Sequence, residues 1–138
     1  VVIMSEERAA ELEITPRLQW RARAVAGVDP AQMGIGPIPA TRMALDKAGM
    51  NISSLSLIEL NEAFAAQALA CMRELKLDQE RTNVNGGGIS LGHPLGATGA
   101  IMTVKLMEEL TRRDQSVGLV TMCVGGGQGV ATIFERLN

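Results

Sequence analysis

Asn85-Gly86-Gly87-Gly88-Ile89-Ser90-Leu91-Gly92-His93-Pro94-Leu95-Gly96-Ala97-Thr98-Gly99-Ala100 sets the only histidine of the chain in a glycine-dense loop, directly ahead of an apolar helical pattern. Glycine lets a backbone approach a ligand closely and adopt positive φ. Pro94 keeps His93 out of helical geometry, because the residue before a proline is pushed towards extended conformations. A second cluster, Cys123-Val124-Gly125-Gly126-Gly127-Gln128-Gly129, follows a strand-like run and opens with one of only two cysteines. Two reactive residue types, each introduced by a glycine loop, point to a site rather than to two ordinary turns.

Working outward, Gly99 to Arg112 reads as a helix. Val117 to Met122 and Val130 to Phe134 read as strands joined in a tight hairpin by the second cluster. Upstream, Phe64 to Leu75 is rich in alanine and leucine, which favour helix. It follows a short apolar run, Leu55 to Leu60, that reads as a buried strand ending at Asn61. Ala40 to Ala48 is a helical pattern with Gly49 as its C-cap, entered through a loop from Gly27 to Pro39 punctuated by proline and glycine. Leu18 to Val28 alternates bulky and charged residues, as a strand with one wet face does. Val1 to Met4 reads as a buried strand, and Ser5 before Glu6, Glu7 and Arg8 as a helix start. Strands alternating with helices argue for an α/β layered fold. A buried strand at position 1 suggests a chain cut from something longer.

With 138 residues, the chain fits one domain. Aromatic residues are scarce (no Tyr, one Trp, two Phe), so aliphatic side chains, Met and Ala must fill the core. Net charge is −2 with mixed signs, which leaves no basic footprint for nucleic acid and no basic amphipathic segment for a membrane. The apolar stretches stop well short of the roughly 20 residues that a membrane span needs. Two cysteines in unrelated surroundings make no disulfide framework. A reducing, cytoplasmic setting is the simplest reading.

His93 can take or give a proton near neutrality, activate a thiol, or donate to a developing oxyanion. Its plain alternative is a surface-loop histidine. Cys123, where a strand meets a glycine loop, could project a thiol into a cleft, although cysteine is often a small buried hydrophobe. Cys71 fits that second description, lying inside the helix Phe64 to Leu75. Asn61 on its own reads as a turn or cap residue. One histidine and two distant cysteines do not make a zinc site, and no glycine run fits a P-loop or dinucleotide fingerprint.

Asn61-Glu62-Ala63-Phe64, Gly92-His93-Pro94 and Cys123-Val124-Gly125-Gly126-Gly127 occur in an order and spacing that closely resemble the C-terminal part of thiolases, the acetyl-CoA acetyltransferases. Gly27-Val28-Asp29-Pro30, running on to Gly34-Ile35-Gly36-Pro37-Ile38-Pro39-Ala40, fits the same family. The resemblance spans essentially the whole chain. It implies a thiolase-like layered α/β fold whose C-terminal half is a mixed five-stranded sheet with covering helices. Residues 13–138 would be that half, and residues 1–12 the last strand and helix of a missing N-terminal half.

The resemblance also implies roles. The acylated cysteine would lie in the missing half. His93 would activate it and line an oxyanion hole, with Asn61 holding a water that completes that hole. Cys123 would exchange the proton at the acetyl α-carbon, and the Gly125 N–H would donate to a second oxyanion hole. Substrates would be acetyl-CoA, acetoacetyl-CoA and coenzyme A, with no cofactor, in a homo-oligomer. The competing expectation is an assembly or binding module, a half-thiolase unable to turn over alone. Its apolar faces would then be exposed and would drive self-association.

Overall fold

Four segments in which apolar residues face a common side form strands in the computed structural model, which describes residues 1–137. They are β1 (Leu18–Gly27), β2 (Leu57–Leu60), β3 (Val117–Val124) and β4 (Gln128–Arg136), in the sheet order β1-β4-β3-β2. β1 and β3 run antiparallel to β4, whereas β2 runs parallel to β3. The helices are α1 (Glu6–Glu11), α2 (Pro37–Ala48), α3 (Ala65–Leu75), α4 (Gly88–Leu91) and α5 (Thr98–Arg112).

Strand residues alternate between faces, and the two faces have separate cores. On one, Ile58, Leu60, Leu119, Ala131 and Ile133 pack under α2 and α3, against Ala40, Ala44, Cys71 and Leu75. On the other, Leu57 and Val120 meet Met102, Leu106 and Leu110 of α5. Helices on both faces of one sheet give three layers, the α/β arrangement expected from the alternation of elements. Gly118 permits the second contact, because a Cβ there would stand 2.5 Å from Leu106 Cδ1.

Most expected elements are present. Ser5 caps α1, its hydroxyl accepting the Arg8 N–H at 3.2 Å. Gly49 ends α2 in the left-handed region at φ 65°. That helix starts at Pro37 rather than at Ala40, since proline at the first helical position costs no internal hydrogen bond. The hairpin turn uses Gly126 (φ 76°) and Gly127 (φ 84°), the positive φ values that tight hairpins need.

Two expectations are corrected. The sheet has four strands, not five. Thr82 makes one parallel bridge to Ile58, and then Asn83 turns left-handed at φ 49°. The Asn83 side chain takes the Leu60 N–H at 2.9 Å and donates to the Leu60 carbonyl at 2.8 Å. A side-chain amide thus covers the open edge of β2 where a fifth strand would pair.

The second correction concerns Val1 to Met4, which form no strand; Val1, Val2 and Ile3 are 68%, 84% and 79% exposed. A β-prone tetrapeptide needs a neighbouring strand, and none among the described residues pairs with it. Asn138, counted in the expected 13–138 domain, lies outside the described residues. Among those residues, no helix is long and apolar enough to cross a membrane.

Candidate active site

Among the described residues β2 and β3 are the only parallel pair of strands, and both point their carboxyl ends at the same rim of the sheet. Open α/β sheets bind ligands at that end. Asn61 is the first residue beyond β2, its N–H donating to the Thr121 carbonyl at 2.9 Å. Cys123 lies at the end of β3, two residues beyond Thr121. His93 stands between α4 and α5, after Gly92 (φ 92°). Asn61 and Cys123 thus follow strand ends at the same rim, and His93 is tied to Thr98, which lines a cavity with Asn61. None of the three hydrogen-bonds another among the described residues.

His93 is held by a residue that sequence reasoning did not select. Its Nδ1 lies 2.7 Å from Thr98 Oγ1, and that hydroxyl lies 3.0 Å from the Pro94 carbonyl. Thr98 and Asn61 line one small cavity of about 20 Å³, together with Glu59, Gly88 and Lys105. Asn61 is 2% exposed, and its Nδ2 has no hydrogen-bond partner among the described residues. A buried amide donor without a partner is costly, and a cavity of this size with such polar groups on its wall accommodates one water. The donor set at this rim suits an oxygen atom.

Three carboxylates fasten the glycine loop that leads to His93. Glu62 accepts the Ile89 N–H at 3.1 Å and the Asn83 amide at 3.1 Å. A Cβ on Gly87 would stand 2.4 Å from that carboxylate, so a side chain there would push it from its place. Glu59 pairs with Lys105 at 2.8 Å, and Lys105 also donates to the Gly86 carbonyl at 2.5 Å. Burial pushes the Glu59 carboxyl up, with Lys105 opposing and the nearby charges of Glu62 and Glu109 adding. Glu109 accepts the Asn85 amide at 2.9 Å and also pairs with Arg112 and Arg113. Its carboxyl is held down to about 2, chiefly by Arg112 and against its own burial.

The second glycine cluster is locked against the Val28–Gly36 loop. A Cβ on Gly129 would stand 2.0 Å from the Gly36 carbonyl carbon, and one on Gly127 2.5 Å from the Val28 oxygen. Val28 in turn donates its N–H to the Gly127 carbonyl at 2.7 Å. This contact sets where Cys123 sits. Gly125 lies exposed at the turn, and a Cβ there would meet nothing within 4 Å. Burial pushes the Cys123 thiol up, so it is protonated at neutrality, as suits a proton carrier better than a standing nucleophile. Cys71 is fully buried; its thiol donates to the Gly34 carbonyl at 3.4 Å and accepts from Gln67 at 3.5 Å.

Sequence reasoning missed Thr98, Glu62, Glu59 and Lys105 as parts of this rim. Glu62 stood in the quoted Asn-Glu-Ala-Phe segment without a role. Thr98, five residues after His93, was within reach of a first-turn argument. Glu59 and Lys105 are 46 residues apart and carried no local signal.

The family described as "Thiolase, C-terminal domain" matches residues 14–136. The 3-ketoacyl-CoA thiolase of Cronobacter sakazakii is 52% identical over 140 residues, covering 99% of this chain and 36% of that protein. The 3-ketoacyl-CoA thiolase of Colwellia psychrerythraea is 51% identical with the same coverage. Among solved structures, the Bacillus anthracis acetyl-CoA acetyltransferase matches with a TM-score of 0.94 at 52% identity, covering 97% of this chain and 34% of that one. Human mitochondrial 3-ketoacyl-CoA thiolase gives 0.95 at 46% identity, with the same coverage. The chain thus spans about a third of the length of these relatives.

Proposed function

The chain belongs to the thiolase family, matching its C-terminal domain, and on that footing we propose that it supplies part of an acyltransferase site that makes or cleaves 3-ketoacyl-CoA such as acetoacetyl-CoA. In the cleaving direction, a cysteine thiolate outside these 138 residues attacks the keto carbonyl. The C2–C3 bond breaks, acetyl-CoA leaves as its enolate, and the acyl group stays on sulfur. Cys123 gives its proton to the α-carbon. Coenzyme A then loses its thiol proton to the Cys123 thiolate and takes the acyl group, and the released cysteine recovers its proton from His93. His93 removes the proton from the attacking thiol. His93 and a water held by Asn61 donate to one oxyanion, and the Gly125 N–H serves the other. No further cofactor is required.

One observation carries this reading: the buried, unpartnered Asn61 amide shares a small cavity with Thr98, the residue that binds His93. A thioester enolate needs preorganised donors of this kind, and losing one typically costs ~10²–10³ in rate. The raised Cys123 thiol supports a proton-exchange role.

The test is a chimera in which this chain replaces the matched third of the Bacillus anthracis acetyl-CoA acetyltransferase, assayed for acetoacetyl-CoA thiolysis. Activity that is lost in His93→Ala and Cys123→Ala is the expected result. A folded but inactive chimera would overturn the reading.

A second reading applies to the 138 residues by themselves. Cys71 is buried against Gly34, and the Cys123 thiol is raised, so neither stands ready as the acylated nucleophile. Alone, the chain then acts as an assembly module. Exposed Ile101 and Val104 on α5, with Trp20 and Val25 on β1, support self-association, and a clean monomer in sedimentation would contradict it.

A further inference from the structure

We propose that Thr98 fixes the tautomer of His93, placing the ring proton on Nδ1 and leaving the Nε2 lone pair free. A threonine hydroxyl has one proton to give and two lone pairs with which to accept. The Pro94 carbonyl can only accept, and it lies 3.0 Å from Thr98 Oγ1. If the hydroxyl proton turned to His93, two lone-pair-bearing oxygens would face each other at that distance with nothing between them. The proton therefore goes to Pro94. The 2.7 Å contact to His93 must then be Nδ1–H donating to Oγ1.

Nothing nearby loosens this arrangement. Thr98 is 4% exposed, so bulk solvent does not compete for its hydroxyl, and a water in the cavity shared with Asn61 would find only the second Oγ1 lone pair open. It sits in the first turn of α5, and its own N–H also donates to the Pro94 carbonyl, at 2.9 Å. One carbonyl thus fixes both the backbone and the side chain of Thr98. Gly92 before the histidine (φ 92°) and Pro94 after it hold the ring's own backbone.

The consequence rests on the proposed function. In a neutral imidazole, the hydrogen bond made by one nitrogen decides the state of the other. With Nδ1 occupied, Nε2 is the base that accepts the thiol proton. Once protonated, the same nitrogen becomes the donor to the oxyanion. The Nδ1–H bond persists through both states and strengthens as the ring gains charge. Thr98 is a positioning residue that touches no substrate.

His93 is the only histidine of the 138 residues, so ¹⁵N-labelling the chain and recording long-range proton–nitrogen correlations reads a single imidazole. The expected result near neutral pH is a protonated Nδ1 and a bare Nε2, retained in Thr98→Ser and lost in Thr98→Val. A wild-type ring carrying its proton on Nε2 would overturn the proposal, as would an unchanged tautomer in Thr98→Val. In the chimera, Thr98→Val should lower kcat by about 10–100-fold, the range seen when the hydrogen-bond partner that orients a metal-ligating imidazole is removed. KM should hold, and Thr98→Ser should restore the rate. An inactive chimera with the proton on Nδ1 would sink the proposed function and leave the tautomer standing. An active one indifferent to Thr98→Val would do the reverse to the role of Thr98.

Discussion

The Glu62 carboxylate accepts the Ile89 N–H at 3.1 Å, so the residue next to Asn61 caps the short helix that delivers His93. The same carboxylate takes the Asn83 amide and lies against Gly87. Glu62→Ala releases both donors and should cost about 1–2 kcal/mol, near the low end for a hydrogen bond to a charged group because the site is partly exposed. The sharper readout is local. Exchange of the Ile89 amide should accelerate well before global unfolding, and equal exchange in wild type and variant would refute the capping role.

Gly27 and Gly129 belong to adjacent register pairs of β1 and β4, Gly27–Gln128 and Ala26–Gly129, yet they should respond differently to alanine. A Cβ at Gly129 would enter the Gly36 backbone, which cannot yield as a flexible side chain does. Gly129→Ala is expected to cost about 1–3 kcal/mol or more by overpacking. At Gly27 a Cβ meets nothing within 4 Å, and Gly27→Ala should stay within roughly ±0.5 kcal/mol. Urea unfolding of the two variants decides this. Equal midpoints would mean that the Gly36–Gly129 contact does not hold the hairpin.

The layered α/β fold was legible because periodicity and glycine punctuation are local signals. The Gly49 cap, the Ser5 cap and the hairpin at Gly125–Gly127 could each be read from a few neighbouring residues. The four strands of the sheet were each legible as apolar or alternating runs; the fifth was expected only from the family resemblance, and the edge of β2 where it would pair is covered by the Asn83 side chain. Val1 to Met4 shows the limit of such runs, since strand propensity specifies no partner. His93, Cys123 and Asn61 stood out through their glycine and strand-end settings. The groups that hold the site together did not, because Glu59 and Lys105 meet only through packing of β2 against α5.

Acid should weaken this fold through Glu109. Its carboxyl falls from an ordinary 4.5 to about 2 on folding, so the stability it contributes is complete above pH 4.5. That stability is lost as pH falls towards 2. Glu109→Gln should be less stable than wild type at pH 7, flatter between pH 4.5 and 2, and equal to it near pH 2. The Arg112 end of the pair is exposed, so added salt should narrow the difference at neutral pH. Parallel pH profiles for the two proteins would remove Glu109 from the account.

Glu59 has the opposite sign, which makes its pair with Lys105 a sensitive probe of the loop. Burial raises the Glu59 carboxyl, so its contribution is greatest below its unfolded pKa and declines as pH rises through the folded one. Lys105 offsets that decline at neutrality. Lys105→Met strands a carboxylate only 4% exposed and should cost about 3–5 kcal/mol at pH 7, the usual penalty for breaking a buried pair from one side. Lowering the pH should recover much of that loss, because a protonated Glu59 no longer needs a cation. The double variant Glu59→Gln/Lys105→Met strands no charge and should be more stable at pH 7 than Lys105→Met alone. Both variants release the Gly86 carbonyl, so any defect they share belongs to the loop and any defect confined to Lys105→Met belongs to the charge. A single variant no less stable than the double at pH 7 would show that Lys105 acts on Gly86 and not on Glu59.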